Sequence, residues 1–124
     1  MRALFLRAYF MLMQFDSYGS GNGFAALHEK VRKCAKADRV PTPFTVEQVC
    51  SAVDRACIWY RKEVLCLQRS AATTGLLRKH GVPAQLVIGA QQIPFRAHAW
   101  VEVEGRIVND RPYMPEMYQV LERC

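Results

Sequence analysis

Residues 66–110 read CLQRSAATTGLLRKHGVPAQLVIGAQQIPFRAHAWVEVEGRIVND, and the change of period inside this stretch decides the fold. A helical segment opens at Cys66 and runs through Leu76 and Leu77 towards Lys79. Gly81 suits the position just past a helix end, and Pro83 keeps the helix from restarting. Ala84–Ala90 (AQLVIGA) is almost wholly apolar, as a buried strand requires. Ala97–Val103 (AHAWVEV) alternates instead. His98, Trp100 and Glu102 share one face, and Ala97, Ala99, Val101 and Val103 share the other. Gly105 marks a turn, after which Arg106–Asp110 returns as a further strand. Helices followed by a small antiparallel sheet make an α+β fold.

Two hairpin closures compete. A two-residue loop, Glu104-Gly105, sets His98 opposite Arg111 and turns Asp110 to the other face. A three-residue loop, Val103-Glu104-Gly105, sets His98 opposite Asp110 and Glu102 opposite Arg106. The longer loop needs a left-handed third residue, which Gly105 supplies with a bulge, and it gains an opposite-charge closing pair. The three-residue loop is therefore the expectation.

Upstream, MRALFLRAYFMLMQF reads as an amphipathic helix that packs on the body or docks a partner. Arg7 interrupts the apolar run, which is too short to span a bilayer, and no small-residue cleavage site follows. Ser17–Gly23 is a glycine-rich turn without the GK[ST] of a phosphate loop. A helix is expected over about Phe24–Ala37, with Leu27 and Val31 on one side, and Pro41-Thr42-Pro43 makes a connection. Thr45 and Gln48 have capping-box spacing. Val46, Val49, Val53, Cys57 and Tyr60 then recur at helical spacing, so Cys50 and Cys57 read as small buried hydrophobes. Residues 1–40 form a helical lead-in packing on a core of residues 41–124, within one domain overall.

The chain has 124 residues, a formal net charge of +6 and five cysteines. The odd count and the absence of CxxC spacing argue against a zinc ribbon, a thioredoxin motif or a secreted disulfide scaffold. Reduced thiols in a cytoplasmic protein are the simpler account. The densest positive run, Lys30, Arg32, Lys33, Lys36 and Arg39, reads as a solvated helix face, and no nucleic-acid motif with interleaved aromatics accompanies it.

Cys66, His98 and Asp110 follow in the order used by papain-like and transglutaminase-like thiol enzymes. A thiol at a helix N-terminus is set up to ionise, because unpaired amides and the helix dipole favour the thiolate. The Cys66 N–H is a candidate oxyanion donor. His98 is the candidate base and Asp110 the group that orients it. The bland alternatives are a hydrogen-bonded core histidine beside Trp100 and a turn cap at Asp110. His80, in the last helical turn, reads as a C-terminal capping charge or an exposed polar residue.

The ordered set Cys66-Leu67-Gln68-Arg69-Ser70, Gly81-Val82-Pro83-Ala84, Ala97-His98-Ala99-Trp100-Val101-Glu102 and Asn109-Asp110 resembles the lasso-peptide biosynthesis B2 proteins. These are leader peptidases of the transglutaminase-like superfamily, and the resemblance covers about residues 45–124. It implies a transglutaminase-like/papain-like cysteine protease fold. It also implies hydrolysis of the bond between leader and core of a ribosomally made precursor. Cys66 carries over as nucleophile, His98 as base and Asp110 as orienting acid. Arg69 and Trp100 also match, as candidate substrate-binding groups; Arg69 alternatively anchors the helix start, and Trp100 forms a wall of the site. Tyr113, Tyr118 and the Met114/Met117 pair form either a docking surface or core. The implied partners are the precursor peptide, a small leader-recognition protein and the lasso cyclase, without nucleic acid or stable membrane insertion. No metal or cofactor is implied. Acyl transfer to an amine and a non-catalytic peptide-binding module are the rival readings.

Overall fold

The computed structural model describes residues 2–16, 23–60, 64, 66–92 and 94–124. Helices α1 (Arg2–Asp16), α2 (Gly23–Lys33), α3 (Thr45–Trp59) and α4 (Cys66–Lys79) precede the strands β1 (Ala84–Gln92), β2 (Phe95–Val103) and β3 (Arg106–Ile107). A helical turn α5 (Met114–Met117) and a last strand β4 (Gln119–Arg123) complete the order. The antiparallel sheet runs β3-β2-β1-β4. This is the expected α+β arrangement, with β4 and α5 added to it.

Helix α4 is the hub. Ser70 through Leu77 are all buried, because α1 and α3 pack on one side of it and the sheet on the other. The small residues of Ala71-Ala72-Thr73-Thr74-Gly75 permit that approach. A Cβ on Gly75 would meet the Met11 sulfur at 3.4 Å and the Phe15 ring at 3.5 Å. The buried threonine hydroxyls cost little because each is satisfied within the helix. Thr73 Oγ1 donates to Arg69 O at 2.8 Å, and Thr74 Oγ1 donates to Ser70 O at 2.9 Å. Ala8, Met11, Leu12 and Phe15 of α1 join Val49, Val53, Leu76, Leu77, Leu86 and Val101 in one core. Each large aliphatic buried there contributes about 1.5–3 kcal/mol before chain entropy is charged. The opposite sheet face carries a smaller cluster of Val87, Trp100 and Met114.

Several local expectations change. Helix α2 ends at Lys33 rather than Ala37. The Arg78 guanidinium takes the carbonyls of Val31 and Cys34, and the Ala37 N–H donates to Arg78 O at 2.8 Å, so the chain leaves the helix. The Thr45 capping box is absent. Thr45 Oγ1 accepts instead from the Thr42 N–H at 2.9 Å, bracing the proline connection. The Ser17–Asn22 stretch lies outside the described residues. At the end of α4 the reading holds. Gly81 has φ +85°, the Val82 N–H donates to Leu77 O at 3.0 Å, and His80 Nδ1 caps Leu76 O at 2.9 Å.

The hairpin between β2 and β3 closes through two residues, not three. Val103 pairs with Arg106 and Glu102 with Ile107. Glu104 (φ 51°) and Gly105 (φ 82°) both adopt the left-handed region, as a two-residue turn that matches strand twist requires. Continued as a ladder, this register would turn Asp110 away from His98. The ladder does not continue, and the reason belongs to the site.

Candidate active site

Cys66 is the first residue of α4 and half-buried. The helix start leaves backbone amides unpaired around its thiol. One turn on, Ser70 Oγ donates to Ala99 O at 3.1 Å, which fastens this end of α4 to β2 one residue from His98. Asn109 completes the joint. Its Nδ2 donates to Ser70 Oγ at 3.0 Å, its Oδ1 accepts from the Val101 N–H at 2.8 Å, and its carbonyl accepts from Arg69 Nη2 at 3.0 Å.

This joint explains the hairpin. Val108 still donates to Val101 O at 3.0 Å as a strand residue would. The return bond, from the Val101 N–H, goes to the Asn109 side chain in place of a strand carbonyl. The backbone is thereby released from the ladder after Val108 and bends. Asp110 swings to the His98 face in spite of the two-residue loop. His98 Nε2 and Asp110 Oδ2 lie 2.5 Å apart, and both side chains are mostly buried. Asp110 Oδ1 accepts from the Arg111 N–H at 2.8 Å, so the carboxylate is held at both oxygens.

The His98 ring packs against two aromatic neighbours. It stacks on Tyr118 at 5.4 Å between centroids and lies 6.2 Å from Trp100. Gly89, directly across β1 from His98, makes room for those rings. A Cβ there would stand 2.8 Å from the Trp100 ring and 2.9 Å from Tyr118 Cβ. With Nε2 committed to Asp110, the neutral ring carries its proton there and leaves Nδ1 bare as an acceptor. Among the described residues, no hydrogen bond joins the Cys66 thiol to His98.

Trp100 and Arg69 have structural partners. Trp100 is 0% exposed, so it forms no wall that a substrate touches. Its Nε1 donates to Glu102 Oε2 at 3.0 Å, and Arg123 neutralises that buried carboxylate from the surface. Arg69 spans from the Asn109 carbonyl to Asp54, 3.9 Å away, and is an anchor of the α4 start. Met114 is core and Tyr118 supports His98, whereas Tyr113 and Met117 are exposed. Sequence reasoning missed Ser70 and Asn109 as positioning groups. Their signal was present in Ser70, four residues after Cys66, and in the Asn109-Asp110 pair, but their partnership spans 39 positions.

Three of the other thiols, Cys50, Cys57 and Cys124, are poor nucleophiles. Burial, with Asp54 adding to it, pushes the Cys50 thiol up to about 11, against an opposing pull from Arg69. Burial also raises Cys57 and Cys124. A thiolate is the reactive form, so these three stay protonated at neutral pH. Among the described residues, no group of three or more His, Cys, Asp or Glu side chains is placed to hold a metal ion. A groove between α3 and the β3 hairpin, lined by Cys50, Asp54, Ile58, Arg106 and Ile107, runs along this side of the molecule.

A strand-borne His98 paired with Asp110, beside a cysteine-initiated helix, agrees with a sequence match to the transglutaminase-like superfamily over residues 11–123. The chain belongs to the transglutaminase-like superfamily. It is similar to the microcin J25-processing protein McjB of Escherichia coli, with 41% identity over 56 residues. That alignment covers 45% of this chain and 27% of the relative, so the chain spans about a quarter of McjB's length. The likeness supports the resemblance to the lasso-peptide biosynthesis B2 proteins. No solved structure matches the chain. Among the described residues, no helix is long and apolar enough to cross a membrane.

Proposed function

We propose that this superfamily member is a cysteine peptidase that removes the leader from a ribosomally made lasso-peptide precursor. The observation that carries the reading is the His98–Asp110 pair, braced by Ser70 and Asn109 against the helix that Cys66 begins. The likeness to a microcin-processing protein supplies the substrate class.

Chemistry follows from the residues. His98 Nδ1 accepts the thiol proton, and the Cys66 sulfur attacks the scissile carbonyl carbon. The oxyanion that forms is stabilised by the Cys66 N–H at the helix start. Its collapse breaks the C–N bond, and imidazolium His98 gives its proton to the departing amine of the core peptide. The leader remains as a thioester on Cys66. His98 then takes a proton from water, which attacks the thioester carbonyl; the C–S bond breaks to release the leader acid, and His98 returns the proton to the Cys66 sulfur. Asp110 keeps the imidazole in one tautomer and stabilises its charged form. A small recognition protein presents the leader, the lasso cyclase takes the freed core, and the reaction takes place in the cytoplasm.

The test is mass spectrometry of a precursor peptide incubated with this protein and its recognition partner, beside Cys66→Ala. One Cys66-dependent cut between leader and core supports the reading. A mass change without chain scission would replace hydrolysis by acyl transfer, and an intact but bound peptide would indicate a binding module.

A further inference from the structure

At the far end of α4 from Cys66 lies a second concave surface that the peptidase reading does not use. It is a cleft of about 420 Å³ between α1, the end of α4 and the extended segment that follows α2. Thirteen residues separate Cys66 from Lys79, which at 1.5 Å per residue puts the cleft about 20 Å from the thiol. Phe10, Met11 and Leu76 form its apolar floor and lip, and Arg7, Arg39 and Lys79 stand around it.

The charge is one-sided. Among the described residues no carboxylate lines the cleft, and neighbouring Asp38 is not part of its wall. Arg7, Arg39 and Lys79 are exposed, and among the described residues none of them is held in an ion pair. The apolar side is also unusual. Phe10 is 58% exposed and continues a stripe with Leu6 and Met13 along α1 at helical spacing.

The wall opposite α1 is fixed in place. Arg78 holds the carbonyls of Val31, Cys34 and Ala84, and the Ala37 N–H donates to Arg78 O. Gly81 presses against the Arg39 backbone so closely that a Cβ would sit 2.1 Å from Arg39 O. The segment bearing Ala35, Ala37 and Arg39 is thus stapled to the end of α4 while its outer face stays open.

We propose that this cleft docks an acidic, apolar-anchored peptide segment of a protein partner. A leucine or phenylalanine of the partner would seat beside Phe10, and its flanking carboxylates would meet Arg7, Arg39 and Lys79. Cations on both walls of a cleft with an apolar floor complement alternating acidic and apolar side chains. An anionic membrane is a poorer fit, because Arg39 and Lys79 stand across the cleft from the α1 stripe. A nucleic acid would want a run of stacking faces along a basic track, whereas among the described residues only Phe10 and His80 bring rings to the cleft, and His80 Nδ1 is engaged with Leu76 O. The inference does not rest on the peptidase reading, since binding is read without turnover.

The test is fluorescence anisotropy of labelled peptides in which leucine and phenylalanine alternate with glutamate, titrated with the full chain. A counterpart with lysine for glutamate is the charge control. The glutamate peptide should bind and the lysine peptide should not. Arg7→Glu/Arg39→Glu should weaken the glutamate peptide about tenfold or more, and Phe10→Ser should weaken it by about fivefold, each with an unchanged circular dichroism spectrum. Equal binding of both peptides, or binding indifferent to these variants, would overturn the proposal. So would failure of the glutamate peptide to bind while phosphatidylglycerol vesicles or duplex DNA bind in an Arg39-dependent way.

Discussion

Asn109→Ala tests the joint that aims Asp110. The substitution removes the acceptor of the Val101 N–H at 2.8 Å and the donor to Ser70 Oγ at 3.0 Å. Each such bond contributes about 1 kcal/mol net, and an N–H stranded in a buried place costs about 1–3 kcal/mol. Val101 is 0% exposed, so no water replaces the lost acceptor at its amide. The expected loss is about 2–4 kcal/mol. A domain of this size loses about 3–5 °C per kcal/mol, so the melting temperature should fall by about 6–20 °C. The second readout is functional. Without the side-chain bond the chain after Val108 is free to continue the ladder, which carries Asp110 away from His98. Nitrogen-15 spectra of the imidazole should then lose the single tautomer protonated at Nε2. Thermal melts by circular dichroism and these spectra are recorded on the same sample. An unchanged melting temperature would refute the energetic argument. A destabilised protein whose His98 nitrogen signals do not move would refute the aiming argument.

Cys66→Ala should abolish leader cleavage and move the melting temperature little, because the thiol is half-buried; full turnover would remove Cys66 from the mechanism. Asp110→Asn should lower kcat by about 10²–10⁴-fold with little change in KM, as loss of the correct tautomer does, and steady-state kinetics separates this from a turn cap whose loss unfolds the protein. Gly89→Ala should push Trp100 and Tyr118 off their packing, and both lose stability and reduce kcat; an activity unchanged in a folded variant would remove the rings from the account. Cys50 gives a pH prediction. Its thiol titrates at about 11 when folded, against an ordinary 9.0, so the unfolded chain ionises first. The stability from its burial is complete below pH 9 and is lost as pH rises towards 11, on the order of 1–3 kcal/mol. Alkaline melts of Cys50→Ala should fall less steeply than those of the parent, and parallel curves would contradict this.

Local signals were read well where their causes are local. The span of α4 follows from its small residues and from Gly81 and Pro83, and the alternation of β2 correctly separates Trp100 from Val101. The failures trace to partners distant in sequence. Helix α2 stops early because Arg78, far along the chain, claims its last carbonyls. Thr45 abandons its capping box because Thr42 offers a better donor. The hairpin loop is one residue shorter than expected because left-handed Gly105 serves a two-residue turn with Glu104, also left-handed, and Arg106 faces Val103 rather than Glu102. The structure still pairs His98 with Asp110 through a side chain, Asn109, that imitates a strand carbonyl. Strand β4 went unread because QVLER has only Val120 and Leu121 as apolar signal, and its place comes from pairing with β1 across an irregularity at Ile88/Gly89. The candidate triad was named residue by residue from the order of types and the resemblance. The buttress of Ser70, Asn109 and Tyr118 required coordinates.

The central claim is that Cys66 forms a thioester with the leader. Rapid-quench intact-mass spectrometry of the protein mixed with its precursor and recognition partner, followed by peptide mapping, tests it most directly. The account predicts a transient adduct of leader mass on the Cys66 peptide that decays as free leader appears. Leader release at full rate with no adduct on Cys66, and undiminished in Cys66→Ala, would contradict it.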